Sequence, residues 1–270
     1  MICHEKDEIS MSSPSEYVGT TAGEMPELTE LLLGSCPRVA LSKNNALTIL
    51  RGSSTASAME AYKSLRARLM SVQTSRGFRS VAITSAAQSD GKTLTALNLA
   101  GTCAQLENTS VLLIDADLRK RGLTRLIGQV RVPGLTDALN ATVSYKDAVA
   151  RTDVGNLYVM GAGTSDSNPA ELFSGDGWKR LINWASNTFK LVLVDSLPMG
   201  SVADSDLIAA KCDGVLFIVR AKSTPRETLV SALELIEPGK LIGVVWNGMD
   251  PNNSSRKAYS VDPQSFAPTR

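Results

Sequence analysis

The sequence predicts an α/β protein with a doubly wound, mostly parallel sheet and helices on both of its faces. Short, continuously apolar runs alternate with segments of helical periodicity, as expected for buried parallel strands that are joined by helical crossovers. The predicted strands are 80–84, 110–115, 157–160, 191–195, 214–219 and 241–246. The predicted helices are 56–72, 92–106, 178–188, 203–210 and 226–236. Composition agrees, because 270 residues with 43% hydrophobic and 20% charged residues are typical of a globular chain.

The first 55 residues are expected to form a flexible leader, because Pro and Ser recur there with little sustained periodicity. A short helical candidate at 27–33 is the exception. The helix at 56–72 opens the predicted folded domain, since its apolar residues recur every three or four positions. This domain is predicted to occupy 56–250, and the residues 251–270 are predicted to form a flexible tail.

Charge and hydropathy exclude several classes of protein. The 28 Lys and Arg residues against 27 Asp and Glu give a net charge of +1, so no nucleic-acid partner is expected. No apolar run approaches the roughly 18 residues that span a bilayer, and the first twelve residues do not follow the order of a signal peptide. The chain is therefore expected to be cytoplasmic, with no membrane span of its own.

The scarcity of histidine and the spacing of the cysteines exclude other chemistries. His4 is the only histidine, which argues against catalysis by a histidine base. The four cysteines contain no Cys-x-x-Cys pair, so a zinc site is not expected, and they are interpreted as reduced thiols. They are Cys3, Cys36, Cys103 and Cys212.

The strongest chemical signal follows the predicted strand at 80–84. There the loop 85–93 ends in Gly91, Lys92 and Thr93 and opens a helix, an arrangement that directs backbone N–H groups at an anion. Lys92 is expected to reach nucleotide phosphates and Thr93 to bind Mg²⁺. The common pattern GxxxxGK[ST] is incomplete here because Ala86 occupies its first glycine position, and a plain helix start is the alternative interpretation.

Acidic residues end two other predicted strands. Asp115 and Asp117 follow one apolar run, Arg119 comes next, and Asp195 ends another such run. The carboxyl ends of parallel strands share one edge of a sheet, so these carboxylates are expected near the phosphate loop. There one carboxylate can hold a metal through water while another takes a proton from a nucleophile, although strand-terminal Asp residues can also simply cap helices.

Several segments, taken in order over about 45–250, match one family pattern. The matching segments are 83–100, 112–119, 168–172, 192–198, 213–215 and 243–247. The first two and the fourth of these look like Walker A, Walker A′ and Walker B motifs. On these segments the chain resembles the bacterial tyrosine kinases of capsular and exopolysaccharide synthesis, relatives of the MinD and ParA ATPases within the P-loop fold.

The resemblance implies ATP and Mg²⁺ as cofactors and a set of site residues. The residues implied to bind the nucleotide are Gln88, Ser89, Asp90, Gly91, Lys92, Thr93 and Asn247, the last of them facing the adenine. Lys92, Asp117 and Arg119 are implied to carry catalysis, with Asp117 as the base for a tyrosine hydroxyl. Thr93, Asp115 and Asp195 are implied to hold Mg²⁺.

The resemblance also implies partners. Glu60, Lys63 and Arg66 resemble an interface motif through which subunits close a homo-oligomeric ring. Since no spanning helix is expected, a separate membrane adaptor of the polysaccharide co-polymerase type is implied to recruit the chain to the inner face of the membrane. Tyr259 is the candidate autophosphorylation site in the predicted tail.

Departures from the family pattern favour an alternative function. Gln88, Ser89 and Asp90 replace the usual Pro-Gly-Glu/Ala, Leu197 replaces a proline, and Lys63 replaces an arginine. A glycine-type conformation at Ser89 would strain the loop. The predicted function is an ATP-dependent tyrosine autokinase that regulates bacterial polysaccharide polymerisation and export. The alternative is an ATP-binding switch or scaffold without tyrosine transfer.

A third and weaker interpretation is a positioning ATPase of the MinD or ParA type. Those ATPases carry a lysine five residues before the phosphate-binding lysine, whereas Ala87 occupies that position in this chain. A positioning ATPase is therefore disfavoured.

Overall fold

The computed structural model describes Gly34 and the residues 36–41, 56–128, 132–164 and 167–249. The helical candidate at 27–33, most of the predicted leader and the predicted tail with Tyr259 lie outside the described residues. The described strands are β1 (Arg38–Val39), β2 (Ser80–Ser85), β3 (Val111–Asp115), β4 (Ala150–Thr152), β5 (Leu157–Met160), β6 (Leu191–Asp195), β7 (Gly214–Arg220) and β8 (Leu241–Asn247). The described helices are α1 (Ala56–Arg76), α2 (Lys92–Cys103), α3 (Gly122–Leu126), α4 (Leu135–Leu139), α5 (Pro169–Ser174), α6 (Asp176–Thr188), α7 (Ala203–Lys211) and α8 (Arg226–Glu234).

The described strands form a single mixed sheet in the order β1-β4-β5-β3-β6-β2-β7-β8. Neighbouring strands run parallel throughout, except that β4 is antiparallel to β5. The parallel neighbours are connected through helices, as crossover connections require. The predicted doubly wound, mostly parallel sheet is confirmed.

The central strands are buried on both faces, and alternate residues of each strand belong to two separate cores. On one face Val192 and Val194 of β6 pack in a cluster with Trp178 of α6 and Ile208 of α7. On the other face Leu191 and Leu193 join a cluster that includes Leu69 of α1, Leu97 of α2 and Leu123 of α3. Every residue of β2, β3 and β6 is buried, which explains why β3 and β6 are continuously apolar up to their terminal Asp and why β2 has only small polar residues around its apolar centre.

The short edge strands β1 and β4 differ from the sequence prediction. Arg38 and Val39, placed by the prediction in the leader, pair in parallel with Arg151 and Thr152 of β4. Next to this strand Leu41 is fully buried, and its backbone N–H donates to Asp153 Oδ1 at 2.7 Å. Residues 36–41 are therefore part of the sheet edge. Strands of two and three residues are too short to show a period in the sequence, and β1 pairs only with β4, more than 100 positions along the chain.

Candidate nucleotide site

Strand register brings the predicted site together. β6 lies between β3 and β2, and within this parallel set Asp195 pairs with Asp115 on one side and with Ile83 on the other. Two residues beyond Ile83, β2 ends at Ser85 and the phosphate loop begins. The two strand-terminal carboxylates and the start of the loop thus meet at the carboxyl edge of the sheet, where doubly wound sheets bind their ligands.

Two residues of the phosphate loop have left-handed backbone conformations. Gly91 has a φ of 95°, and a Cβ atom at this position would lie only 2.0 Å from Nδ2 of Asn247. The positive φ is what favours glycine there, because the clash would be with the end of the Asn247 side chain, which can move. Ser89 has a φ of 64°, a conformation that costs an L side chain free energy. The strain anticipated at Ser89 is therefore present in the loop.

Lys92 at the start of α2 is buried in the loop that it follows. Its Nζ donates to Ser85 Oγ at 3.0 Å and to the carbonyl oxygen of Ala87 at 3.4 Å. Burial lowers the pKa of Lys92, although the nearby Asp195 carboxylate acts in the opposite direction. The ammonium group therefore lies inside the phosphate loop and close to the acidic strand end.

Asp115 and Asp195 are buried acids that lack a full set of partners. Asp115 Oδ2 accepts hydrogen bonds from the Thr124 backbone N–H at 2.7 Å and from Thr124 Oγ1 at 2.6 Å, whereas its Oδ1 accepts none. Both oxygens of Asp195 are buried without a partner at full hydrogen-bond geometry, although the Thr93 hydroxyl lies close enough to Asp195 to act against the rise of its pKa. Burial raises the pKa of Asp115 to about 6, and burial together with the Asp115 carboxylate raises the pKa of Asp195 well above its usual range.

This acidic pair fits a magnesium ion bound together with a nucleotide. Three carboxylate oxygens without partners lie where a cation would satisfy them. Among the described residues, however, no group of three or more His, Cys, Asp or Glu side chains forms a complete metal cage. Mg²⁺ commonly takes one or two carboxylates and completes its shell with water and phosphate oxygens, so the donor set matches this ion.

Asp117 and Arg119 lie on the segment that follows β3. Asp117 is partly exposed, and its Oδ1 accepts a hydrogen bond from the backbone N–H of Lys120 at 2.9 Å. Its charge acts on both Lys92 and Asp195, which places Asp117 at the rim of the same site. The Arg119 side chain, about half exposed, donates from Nε to Oδ2 of the buried Asp204 at 2.9 Å. The structure thus pairs Arg119 with α7.

Other predicted nucleotide ligands have partners within the loop region. Gln88 Oε1 accepts a hydrogen bond from Lys120 Nζ at 2.6 Å. Asn247, the last residue of β8, donates from Nδ2 to the carbonyl oxygen of Asp90 at 2.8 Å. Asn247 is therefore a neighbour of the phosphate loop, and its predicted contact with adenine stays a prediction.

The predicted interface residues lie on α1. Glu60 and Lys63 are exposed, whereas Arg66 is partly buried and donates from Nη1 to the carbonyl oxygen of Thr102 at 3.0 Å. This bond ties α1 to the last turn of α2. Of the three predicted interface residues, one has a contact inside the subunit and two are exposed at the surface.

Sequence reasoning missed several residues that hold the site. Thr124 fixes Asp115 and Asp204 fixes Arg119, while Arg220 at the end of β7 and Thr224 beyond it contact the phosphate loop. The rule that ligand sites collect at strand carboxyl ends applies to the end of β7 and could have indicated Arg220 and Thr224. Thr124 lies nine positions after Asp115 and Asp204 lies 85 positions after Arg119, and no local pattern in the sequence marks either residue.

Within the described ranges, no helix is long and apolar enough to cross a membrane.

Comparisons with known proteins agree with this geometry. No protein-family model matches the chain. The tyrosine-protein kinase YwqD of Bacillus subtilis is 33% identical over 209 residues, which cover 77% of this chain and 88% of that protein. The tyrosine-protein kinase CpsD of Streptococcus pneumoniae is 30% identical over 173 residues, which cover 63% of this chain and 76% of that protein.

Solved structures show the same relationship. The kinase domain of the Escherichia coli tyrosine kinase ETK is 27% identical, covers 80% of this chain and 84% of its own, and superposes with a TM-score of 0.70. The septum site-determining protein MinD from Pyrococcus horikoshii, solved with Mg-ADP, is 18% identical, covers 70% of this chain and 75% of its own, and has a TM-score of 0.54. At that identity MinD shares the fold alone. With a phosphate loop, two strand-terminal carboxylates and relatives of this similarity, the chain belongs to the bacterial tyrosine-protein kinase family on a P-loop fold.

Proposed function

We propose that this chain uses Mg-ATP to phosphorylate tyrosine and thereby regulates the polymerisation and export of a bacterial polysaccharide. The observation that carries the proposal is the set of buried, partnerless oxygens on Asp115 and Asp195, next to Lys92 in the phosphate loop. Such oxygens are costly in an empty site and are satisfied by a metal bound together with phosphate. Mg²⁺, when bound, would neutralise charge on the phosphates, with Thr93, Asp115 and Asp195 as the residues that hold it.

The residues of the chain would supply positioning and proton transfer. Lys92 lies in the loop where its ammonium group can bind the phosphate oxygens, and the loop backbone presents N–H groups to the same oxygens. Asp117, at the rim of the site, would accept the proton of the tyrosine hydroxyl as that oxygen bonds to the γ-phosphorus and the bond to ADP breaks. In the structure Arg119 is paired with Asp204, so it would have to leave this partner to reach a phosphate.

The same proposal includes the organisation of the chain. We place the kinase domain at about 56–250 together with the edge segment 36–41, and the substrate Tyr259 in the tail at 251–270. Ring assembly through Glu60, Lys63 and Arg66 would deliver the tail of one subunit to the site of its neighbour. A separate membrane adaptor would bring the otherwise cytoplasmic kinase to the inner face of the membrane.

Mass spectrometry of the purified chain after incubation with Mg-ATP tests this function. We expect phosphate on Tyr259, and we expect it to be absent from Lys92→Ala, which lacks the phosphate ligand, and strongly reduced in Asp117→Asn, which lacks the base. The cytoplasmic tail of a neighbouring adaptor is added in a parallel reaction. If nucleotide binds but no tyrosine is modified with or without the adaptor, the kinase proposal fails and a nucleotide-dependent switch replaces it.

A further inference from the structure

The end of β7 and the segment that joins it to α8 donate hydrogen bonds to the phosphate loop. Arg220, the last residue of β7, donates from Nη1 to the carbonyl oxygen of Ser89 at 3.0 Å. Four residues later, Thr224 Oγ1 donates to Asp90 Oδ1 at 3.0 Å and itself accepts the backbone N–H of Arg220 at 3.2 Å. Neither side chain takes part in the chemistry proposed above, yet both contact the loop that would cradle the phosphates.

Asp90 links the two segments. Its side chain is 1% exposed, and while Oδ1 accepts from Thr224, Oδ2 accepts the backbone N–H of Ala87 at 3.0 Å. The second bond closes the loop from Ala87 to Asp90 on itself. A buried carboxylate beside a phosphate site is unfavourable unless it is well satisfied, and here both oxygens are satisfied by the loop and by Thr224.

Contacts to two carbonyl oxygens orient the peptide units of the loop. Arg220 binds the carbonyl oxygen of Ser89, and Asn247 Nδ2 binds that of Asp90 at 2.8 Å. No described peptide bond is cis, and a trans peptide places its C=O and N–H on opposite sides. The N–H groups of Asp90 and Gly91 therefore point away from Arg220 and Asn247, as groups that bind an anion on the inner side of the loop must do.

Ser89 makes these contacts necessary. Its φ of 64° is freely available to glycine but disfavoured for an L side chain, so an isolated loop of this sequence would often leave the conformation. The hydrogen bond from Arg220 falls on the carbonyl group of this same residue. The bond from Thr224 holds the next residue, Asp90, which continues the loop towards Gly91 and Lys92.

We infer that Arg220 and Thr224 are positioning residues for nucleotide binding, which hold the strained phosphate loop in its anion-binding conformation from the outside. The inference rests on the proposed function in that the ligand is a magnesium nucleotide. It adds that affinity for this nucleotide depends on Arg220 and Thr224 through their hydrogen bonds to the loop.

Substitutions at Thr224 test the inference directly. Thr224→Val keeps the shape but removes the hydroxyl that bonds Asp90, whereas Thr224→Ser keeps the hydroxyl. Because hydrogen bonds to charged groups are among the stronger ones, we expect Thr224→Val to raise the Kd for Mg-ADP about 10-fold and Thr224→Ser to change it less than about 2-fold. Thr224→Val leaves the buried Asp90 Oδ1 without this partner, so we expect it to melt below the wild type and Thr224→Ser, and the Kd values are compared at a temperature where all three proteins are folded. Equal Kd values for wild type and Thr224→Val would overturn the inference.

Relief of the strain at Ser89 provides a second test. In a Ser89→Gly background the residue adopts the left-handed conformation without steric strain. The effect of Thr224→Val on Kd is therefore expected to shrink from about 10-fold to about 3-fold or less. An undiminished effect in that background would show that Thr224 does not act through the conformation of the loop.

Amide hydrogen exchange without nucleotide separates this inference from the proposed function. We expect the peptide 86–93 to exchange faster in Thr224→Val than in the wild type or in Thr224→Ser. If the wild type bound no nucleotide but this difference appeared, the kinase proposal would fail while the positioning role stood. Unchanged exchange in Thr224→Val, with nucleotide binding intact in the wild type, would remove the positioning role alone.

Discussion

At the scale of single residues, two neighbouring buried carboxylates lack a full set of hydrogen-bond partners. Asp115 and Asp195 lie side by side at the ends of β3 and β6, and burial favours the protonated form of both. The Thr124 hydrogen bonds compensate only one oxygen of Asp115. A cation bound between the two carboxylates, as proposed, would relieve this electrostatic cost.

This cost predicts a dependence of stability on pH. The pKa of Asp115 is raised from 3.8 to about 6 in the folded state, so the folded state binds more protons than the unfolded state between these values. Stability from this group is complete below about pH 4 and is lost as pH rises through about 6. We expect the unfolding free energy of the nucleotide-free wild type, relative to Asp115→Asn, to fall by on the order of 2 kcal/mol between pH 4 and pH 7.5.

Urea unfolding of both proteins across this pH range measures the difference. Asparagine is the matched control because it keeps an oxygen for Thr124 but does not ionise. A difference between the two proteins that is constant with pH, or that grows as pH rises, contradicts the raised pKa.

At the scale of secondary-structure elements, the start of the short helix α4 lies close to the backbone of the segment 161–164 that follows β5. The backbone N–H of Leu135 donates to the carbonyl oxygen of Gly161 at 2.8 Å, and that of Thr136 donates to the carbonyl oxygen of Ala162 at 2.9 Å. Asp137 adds hydrogen bonds from the backbone N–H groups of Gly134 at 2.9 Å and Thr164 at 2.8 Å. Burial alone would raise the pKa of Asp137, but these bonds and that from the Thr164 hydroxyl hold its pKa below the usual value.

Gly134 is required by this approach. A Cβ atom there would lie 2.3 Å from the carbonyl oxygen of Gly161 and 2.7 Å from the backbone nitrogen of Gly163, and backbone atoms cannot yield as a flexible side chain can. We expect Gly134→Ala to lower the free energy of unfolding by about 2 kcal/mol, as overpacking does elsewhere. Urea unfolding measures the loss.

Gly177 in α6 is the matched control for this substitution. A Cβ atom there would meet its nearest neighbours, both in Leu139, at 3.6 Å, which is ordinary contact. Alanine also favours helices over glycine, so Gly177→Ala is expected to be neutral or stabilising by up to about 1 kcal/mol. Equal losses in the two variants would show that the contact at Gly134 is not what requires glycine.

At the scale of the whole molecule, α1 separates contacts within the subunit from surface that is available to other subunits. On one side of α1, Arg66 donates a hydrogen bond to the last turn of α2 and Leu69 is buried in the core. Glu60 and Lys63 of the same helix are exposed. Only the exposed pair can take part in assembly without disturbing the fold. Ring formation, if it uses this helix, therefore has a surface that can be altered selectively.

Charge reversal at Glu60 tests the proposed ring. We expect Glu60→Lys to shift the wild-type oligomer to smaller species in sedimentation velocity while the melting temperature stays unchanged, because exposed charges contribute little to stability. Arg66→Ala is the contrasting variant, which loses the hydrogen bond to Thr102 and is expected to be less stable by about 1 kcal/mol. An oligomer that persists unchanged in Glu60→Lys would argue against this interface.

The sequence by itself determined the sheet class, the six longer strands and the position of the loop around Lys92 between β2 and its helix. Those features are local: an apolar run buried on both faces and a glycine before a lysine leave clear patterns over a few consecutive residues. The placement of Asp115 and Asp195 at strand ends was equally visible, because a parallel sheet collects such ends at one edge.

Only the tertiary structure decided which side chains hold these groups in place. β1 and β4 are too short to show a period, and the residues that fix Asp115, Arg119 and Asp90 are Thr124, Asp204 and Thr224, the last two 85 and 134 positions away from their partners. Hydrogen bonds of such range depend on how strands order and helices pack. No short stretch of the sequence specifies the order of the strands in the sheet, since that order depends on burying both faces of the sheet at once.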